Sequence, residues 1–321
     1  MECQECKMGE FDLYPEKPVI EKVKVESNWG LTAFTIVLFI GTFLLIFSEE
    51  LRFVLFLIAV LLIHELGHYV SMKKYGYENV RMLFIPLMGA FVQGSKDKYS
   101  QRQSFIVAAL GPYPGIIIGS VLLILSASYQ SEWMIEWSFL FLFINIINLV
   151  PIDPLDGGQL FKLMMNKKRD LFLMVFALIS SLVLIGIGFL LNSWLMVAFG
   201  FFMGIRVRVI QRNYHIRKEL DTNGINYNTT YEELSNRDYV LIKNILLEEI
   251  PTLKKYQELQ GEVDDEVMAS HVNSVLLAPV KLDASVSFKI FIVLSWMFLM
   301  FLPFLLLFFV NLNFDWYFEM M

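Results

Sequence analysis

Long uncharged apolar runs are the feature that most restricts how this chain can fold. Residues 31–48 and 53–63 contain no charged side chain, and similar runs recur as far as residue 310. A run of about 20 apolar residues is long enough to cross the hydrocarbon of a bilayer as a helix. Hydrophobic residues make up 56% of the chain and charged residues 18%, which is typical of membrane proteins. The sequence therefore predicts an all-α polytopic membrane protein.

The spacing of these runs predicts the domain organisation. Seven segments are predicted to span the membrane, and they are residues 31–48, 52–72, 104–128, 137–150, 171–191, 194–205 and 288–310. The sixth is short and needs the apolar residues up to Ile210 to lengthen it. We predict a polar, partly disordered tail over 1–30, a membrane domain over 31–210, a soluble helical module over 211–285, and a C-terminal span and tail over 286–321.

Helix-start patterns occur twice in the predicted module, at residues 229–233 and 235–238. The module is interpreted as a cytoplasmic docking or regulatory element, with a structural spacer as the alternative. Trp316 and Tyr317 are typical interface anchors beyond the last span. Cys3 and Cys6 form one CxxC without a second pair, so an incidental pair is favoured over half of an intermolecular metal site or a redox pair. About thirty polar residues precede the first apolar run, so no cleavable signal peptide is expected.

Charge predicts the orientation and excludes one class of partner. The formal net charge of −6 argues against binding of nucleic acid. The loop at 129–136 holds Glu132 and Glu136 and no Lys or Arg, whereas the connections after spans two, four and six are basic. Because basic residues stay in the cytoplasm, the N-terminus is expected inside and the C-terminus outside.

Residues 75–103 are unlike the spans on either side. The stretch 81–94 is apolar but short, and Pro86 and Gly89 would interrupt a helix. We predict a short β hairpin or re-entrant loop in the membrane, with a loop lying at the interface as the alternative.

The motif His-Glu-Leu-Gly-His at residues 64–68 contains the candidate metal-binding and catalytic residues. On a helix, His64 and His68 share one face and can bind one metal ion, and Glu65 lies within reach of a water on that metal. Ionisable residues in an apolar span are costly unless they have a function. The alternative is two interfacial histidines with a chance glutamate.

A catalytic zinc ion usually has three protein ligands and one open position. Asp156 is the favoured third ligand, because it follows a membrane helix and two prolines and precedes two glycines. Its alternative role is a helix cap. Asp153 is a second candidate, while His215 and His271 fall in the polar module and are expected at its surface.

Asn148 lies about two turns before that bend, within an apolar helix where a primary amide needs partners. We predict that its side chain contacts the scissile carbonyl or the oxyanion that forms there. The alternative is that Asn148 and Asn145 bond a neighbouring helix.

The pairing of His64–His68 with the pattern Asn148-x-x-Pro151-x-x-x-Leu155-Asp156-Gly157-Gly158 resembles the site-2 protease family of intramembrane zinc metalloproteases. The resemblance covers residues 52–165 and implies a three-helix catalytic core. It implies Zn²⁺ held by His64, His68 and Asp156, Glu65 as general base, and Asn148 as a substrate contact. It also implies that residues 81–94 are a membrane-embedded β element able to pair with a substrate strand.

The expected function is hydrolysis of peptide bonds in or near transmembrane segments of membrane proteins, within the lipid bilayer of a bacterial cytoplasmic membrane. The alternatives are a relative that binds membrane segments without cutting them, a zinc transporter, and an anchored peptidase acting on soluble peptides. One departure from the family is the run Gly111-Pro112-Tyr113-Pro114-Gly115, where many relatives have an asparagine after Gly-Pro. No PDZ domain fits between spans two and three, and residues 211–285 lack a CBS-like pattern.

Overall fold

The computed structural model describes residues 14–20, 29–47, 51–86, 89–164, 169–261 and 263–309. The helices are α1 (Trp29–Phe47), α2 (Leu51–Lys74), α3 (Gln101–Leu110), α4 (Pro112–Tyr129), α5 (Glu132–Leu149), α6 (Asp156–Met164), α7 (Arg169–Leu190), α8 (Trp194–Thr222), α9 (Asn236–Glu249), α10 (Pro251–Gln260), α11 (Asp265–Val275) and α12 (Val286–Phe309). The strands are β1 (Glu78–Ile85), β2 (Gly89–Ser95), β3 (Tyr99–Ser100) and β4 (Val280–Lys281).

Six helical stretches in the described residues are long and apolar enough to cross a membrane. They are Leu51–Lys74, Gln101–Tyr129, Glu132–Leu149, Leu171–Leu190, Trp194–Thr222 and Val286–Phe308. This confirms the predicted multi-pass, mostly helical fold. The predicted first span corresponds to α1, whose apolar part Trp29–Leu45 is shorter than these six, so the prediction of seven full spans is not met by the described residues.

The third predicted span is interrupted at Gly111, where α3 ends and α4 begins with Pro112. Proline lacks an amide hydrogen and its ring blocks the preceding turn, which explains the break.

Contacts divide the chain into two compact units. One unit comprises residues 24–96, 100–167 and 281–321, and the other comprises residues 1–23, 97–99 and 168–280. The domain boundaries drawn from the sequence stay a prediction. Cys3, Cys6, Trp316 and Tyr317 lie outside the described residues.

The first unit contains an antiparallel hairpin of β1 and β2, with Met82 opposite Val92 and Leu83 opposite Phe91. This matches the predicted hairpin. Val80, Met82 and Phe84 are buried, and the last two pack in a core with side chains of α1 and α2. Alternate residues of a strand face the same side, so one face of β1 is bound to these helices.

Two hydroxyl groups of α1 bind the edge of β1 that faces away from β2. Thr32 Oγ1 donates to the Met82 carbonyl at 2.8 Å, and the Phe84 amide donates to Thr35 Oγ1 at 3.3 Å. An unpaired backbone group in hydrocarbon costs several kcal/mol, because no water is there to replace the lost hydrogen bond. The threonines therefore stabilise this edge of the hairpin.

The second unit has an apolar core built from the end of α8 together with α9 and α11. Ser235 caps α9 by accepting from the Asp238 amide at 3.0 Å, and Asp264 caps α11 by accepting from the Glu266 amide at 2.8 Å. The helix start predicted at Ser235 is confirmed.

The helix start predicted at 229–233 is wrong, because residues 231–233 form a turn. Lys17 Nζ donates to the carbonyl oxygens of Tyr231, Glu232 and Leu234 at 2.6, 2.9 and 2.6 Å. A lysine from the N-terminal segment thus binds the carbonyls of this turn, and the Tyr231 carbonyl also accepts from the Leu234 amide.

Candidate metal centre

His64 and His68 lie one turn apart on α2, and their rings meet edge to face with centroids 5.1 Å apart. Both side chains are buried, with 3% and 8% of their surface exposed. The spacing of four residues predicted this shared face. Helical geometry alone is enough to bring the two rings together.

Asp156, the first residue of α6, completes the group. Its Oδ2 atom lies 3.0 Å from Nε2 of His64 and 3.2 Å from Nε2 of His68. The three ligand atoms all lie within 4.8 Å of one another. The structure therefore brings together the three residues that the sequence proposed as metal ligands.

The group fits a zinc ion. Zinc bonds of about 2.0–2.1 Å in a tetrahedron separate neighbouring ligand atoms by about 3.3 Å, close to the two nitrogen–oxygen distances observed. Two imidazoles and one carboxylate are also ligands that zinc prefers in hydrolases. A cation is further favoured because it would offset the cost of burying the carboxylate.

The other ring nitrogen of each histidine is held in place. Nδ1 of His68 lies 2.9 Å from the Val107 carbonyl, and Nδ1 of His64 lies 2.8 Å from Oδ1 of Asn145. A carbonyl oxygen can only accept, so Nδ1 carries the hydrogen and Nε2 keeps its lone pair for a metal.

Asn145 bonds a neighbouring helix, as one of the alternatives for the two asparagines expected, but its link to a metal ligand was not predicted. Its side chain is completely buried, and its Nδ2 donates to the Phe141 carbonyl at 2.7 Å. This bond fixes which end of the amide faces His64. The available signal was a second amide, three residues before Asn148, in the same apolar helix.

Two glycines make room for these side chains. A Cβ atom at Gly111 would overlap the ring of His68, and one at Gly115 would overlap the amide of Asn145. The glycines of the run 111–115 therefore allow α4 to approach the metal-binding residues. Tyr113 of the same run bonds Ser295 of α12, with the two oxygens 3.0 Å apart.

Asp156 reaches the histidines because the chain turns sharply after α5. The Ile152 amide donates to the Val150 carbonyl and the Leu155 amide to the Ile152 carbonyl, both at 2.8 Å. Gly158 lies so close to the Ile152 carbonyl that a side chain there would overlap it. The bend predicted from prolines and glycines is the one that positions the carboxylate.

Asp153 is not brought to the histidines. It is buried and forms an ion pair with Lys162 of α6. The structure thus gives the two aspartates of the bend different partners, and the choice of Asp156 over Asp153 agrees with it.

Glu65 is buried beside the first histidine, with 4% of its surface exposed. Its Oε2 atom has no hydrogen-bond partner among the described residues, and the backbone of Val92 in β2 hydrogen-bonds to its carboxylate. A buried carboxylate oxygen without a partner is costly, and such groups are found at functional sites. Glu65 is therefore available to a ligand of the metal site.

Asn148 and the remaining histidines lie outside the ligand group. Asn148 is half-buried and its Nδ2 donates to the Ile144 carbonyl at 3.0 Å. His215 is exposed and His271 is half-buried in the second unit.

Comparisons with known proteins agree with this geometry. Residues 52–133 match the family model of Peptidase family M50. A stretch of 121 residues is 33% identical to Zinc metalloprotease MJ0392 of Methanocaldococcus jannaschii and covers 36% of this chain and 34% of that protein. A stretch of 124 residues is 28% identical to Stage IV sporulation protein FB of Bacillus subtilis and covers 38% of this chain and 43% of that protein.

The chain thus matches less than half of the length of either curated relative. A solved structure of the site-2 protease from Methanocaldococcus jannaschii aligns with 55% of this chain and 85% of that chain, with a TM-score of 0.41 and 23% identity. The family match and the curated zinc metalloprotease confirm the resemblance drawn from the motifs, and they identify this chain as similar to the site-2 proteases of peptidase family M50.

Proposed function

We propose that this protein is an intramembrane zinc metalloprotease that hydrolyses peptide bonds in or near transmembrane segments of other membrane proteins. The observation that carries the proposal is the convergence of His64, His68 and Asp156 beside Glu65, a carboxylate with an unpartnered oxygen. All four residues belong to one unit rich in apolar helices. Zinc bound there would supply an activated water and a Lewis acid for the scissile carbonyl.

In this proposal, Glu65 is the general base. Its free oxygen takes a proton from the attacking water and later returns the proton to the leaving amine. His64 and His68 would hold the metal with their Nε2 atoms, since Asn145 and the Val107 carbonyl fix the opposite nitrogens.

Asn148 is proposed to contact the scissile carbonyl. Its Nδ2 uses one hydrogen for the Ile144 carbonyl, which leaves the second for a substrate oxygen. A donor aimed at developing negative charge stabilises the transition state by about 3–4 kcal/mol.

A substrate must present an extended backbone to be cut. We propose that the hairpin helps to hold it, since β2 lies against Glu65 through Val92. A transmembrane helix would have to unwind locally, which favours substrates with helix-breaking residues near the site. The basic connections support a site near the cytoplasmic face of the membrane. We propose an N-terminus inside and a C-terminus outside, in a bacterial cytoplasmic membrane, an orientation that requires α1 to cross the bilayer in addition to the six longer helices.

The test is cleavage of a defined transmembrane peptide in proteoliposomes by the parent chain and by Glu65→Gln. We expect the variant to keep its zinc and to lose about 10²–10⁴-fold in rate, since it cannot accept a proton. Glu132→Gln, at the exposed start of α5, is the matched control and should cleave normally.

Equal cleavage rates for zinc-loaded Glu65→Gln and the parent would contradict the mechanism. Zinc flux into the vesicles that persists in Glu65→Gln, without any cleavage by the parent, would indicate a transporter instead. Cleavage of free peptides but not of embedded ones would restrict the substrate class to soluble peptides.

A further inference from the structure

The carbonyl of Leu149, at the end of α5, is hydrogen-bonded by a side chain of another helix. Leu149 is the last residue of α5 and is completely buried. The last four carbonyls of a helix have no partner within it and need one elsewhere. Here the partner is the indole of Trp296, whose Nε1 donates to the Leu149 carbonyl at 2.8 Å. A side chain of α12 therefore caps α5 where the chain leaves it for the bend.

The same carbonyl also lies against the start of α6. A Cβ atom at Gly157 would overlap the carbonyl of Leu149 and come within 2.7 Å of that of Val150. Gly157 directly follows Asp156, so the start of α6 rests on the carbonyl that Trp296 holds. Since close-packed atoms transmit small shifts, a displacement of the Leu149 carbonyl would displace Asp156.

The helix that carries Trp296 is itself fixed. Ser295 bonds Tyr113 of α4, and Leu299 is buried in a core with Ile116 and Leu142. Trp296 packs against this core as well. These contacts set the rotation of α12 against α4 and α5, so the indole N–H has a defined direction.

We propose that Trp296 is a positioning residue of the metal centre, which acts on Asp156 through the Leu149 carbonyl and Gly157. The inference rests on the proposed metal site. It concerns a helix that, like Asp156 itself, lies outside the 52–133 stretch that matches the family model.

The experiment measures zinc affinity by competition with a chelator, on the purified full chain in detergent. Trp296→Phe keeps an aromatic ring and removes the N–H donor. We expect about tenfold weaker zinc binding, the lower end of the range for residues that orient metal ligands. Trp133→Phe is the matched control, since Trp133 is exposed in the first turn of α5, and its affinity should equal that of the parent.

A double-mutant cycle tests whether the effect passes through Asp156. In an Asp156→Ala background, Trp296→Phe should cause no further loss of zinc affinity. Gly157→Ala places a methyl group against the same carbonyl, so it should also weaken binding, and it provides a second variant if Trp296→Phe does not fold.

Unchanged zinc affinity in Trp296→Phe, or a tenfold loss that persists without Asp156, would overturn the inference. The assay does not use proteolysis, so its outcome is separate from that of the proposed function. A chain that binds zinc in a Trp296-dependent way but cleaves nothing would refute the protease and keep the positioning role.

Discussion

The metal centre and the helical module around α9 and α11 bury different kinds of side chain. In the unit that holds the metal centre, buried residues include His64, Glu65, His68, Asn145 and Asp153. In the module, the buried side chains among those that the structure describes between residues 211 and 280 are all hydrophobic, two tyrosines included. In the first region His64, His68 and Asn145 belong to one connected polar set, whereas Asp153 pairs separately with Lys162. The second region keeps most of its polar groups at the surface, and the buried Tyr239 hydroxyl is an exception, with no hydrogen-bond partner among the described residues.

The difference shows in which region a polar residue of the sequence indicates a partner or a function. Burying a polar group without a partner costs about 2–7 kcal/mol, so each one in an apolar span indicates a partner or a function. In the module, water can hydrogen-bond to most polar groups, so these groups do not indicate the fold. There only the pattern of apolar residues does. Tyr231 and Tyr239 are exceptions, since both are buried and burial raises the pKa of each phenol to about 12.

The largest expected effect would test whether the module depends on apolar packing alone. Ile242 is completely buried in α9, and Ile242→Ala should lower the stability of the module by about 2–5 kcal/mol through the cavity that it leaves. Hydrogen exchange of residues 231–275 would measure the loss. Zinc affinity should stay unchanged, and a large fall in zinc affinity would break the comparison.

Asn244→Ala is the matched control for this substitution, because Asn244 lies on the same helix and its side chain is exposed. Substitutions at exposed positions usually change stability by less than about 0.5 kcal/mol. A loss as large as that of Ile242→Ala would show that surface contacts, rather than the apolar core, hold α9 in place.

The second effect concerns the connected polar set. Asn145→Ala removes the acceptor that orients His64 and should weaken zinc binding about 10–100-fold, as measured by chelator competition. Asn148→Ala is the matched control in the same helix. It should leave zinc affinity unchanged and lower the rate of cleavage, in keeping with the proposed contact to the scissile carbonyl. Equal zinc affinities for Asn145→Ala and the parent would mean that the buried amide has no role at the metal.

The smallest expected effect tests the contribution of a polar side chain at the surface of the module. Ser235→Ala removes the side-chain cap of α9 and should cost about 1 kcal/mol of stability, visible as faster hydrogen exchange in the first turn of α9. Ser274→Ala, near the end of α11, removes an exposed hydroxyl that bonds the preceding turn and should cost less. A larger loss from Ser274→Ala would contradict the assignment of Ser235 as the cap.

Local patterns predicted much of the fold and of the candidate site. The spacing of His64 and His68 required only helical geometry, and the glycines after Asp156 indicated a bend. The hairpin was one of the alternatives left open for residues 81–94, and the structure selects it. Each of these inferences used residues close together in sequence.

The contacts that were missed join residues far apart in sequence. Asn145 meets His64 across 81 positions, and Trp296 meets Leu149 across 147. Lys17 reaches the turn at Tyr231 across 214 positions. No periodicity encodes such pairs, since they depend on how the helices pack.

The two threonines of α1 make the two edges of the hairpin unequal in their ability to pair with a further strand. With Thr32 and Thr35 bound to the outer edge of β1, that side cannot accept another chain without first losing these bonds. A third strand beside β2 would have to replace one bond, that of the Val92 backbone to Glu65, and an antiparallel strand there would run in the same direction as β1. Two hydroxyl groups on a neighbouring helix thereby make one edge of the hairpin harder to extend than the other.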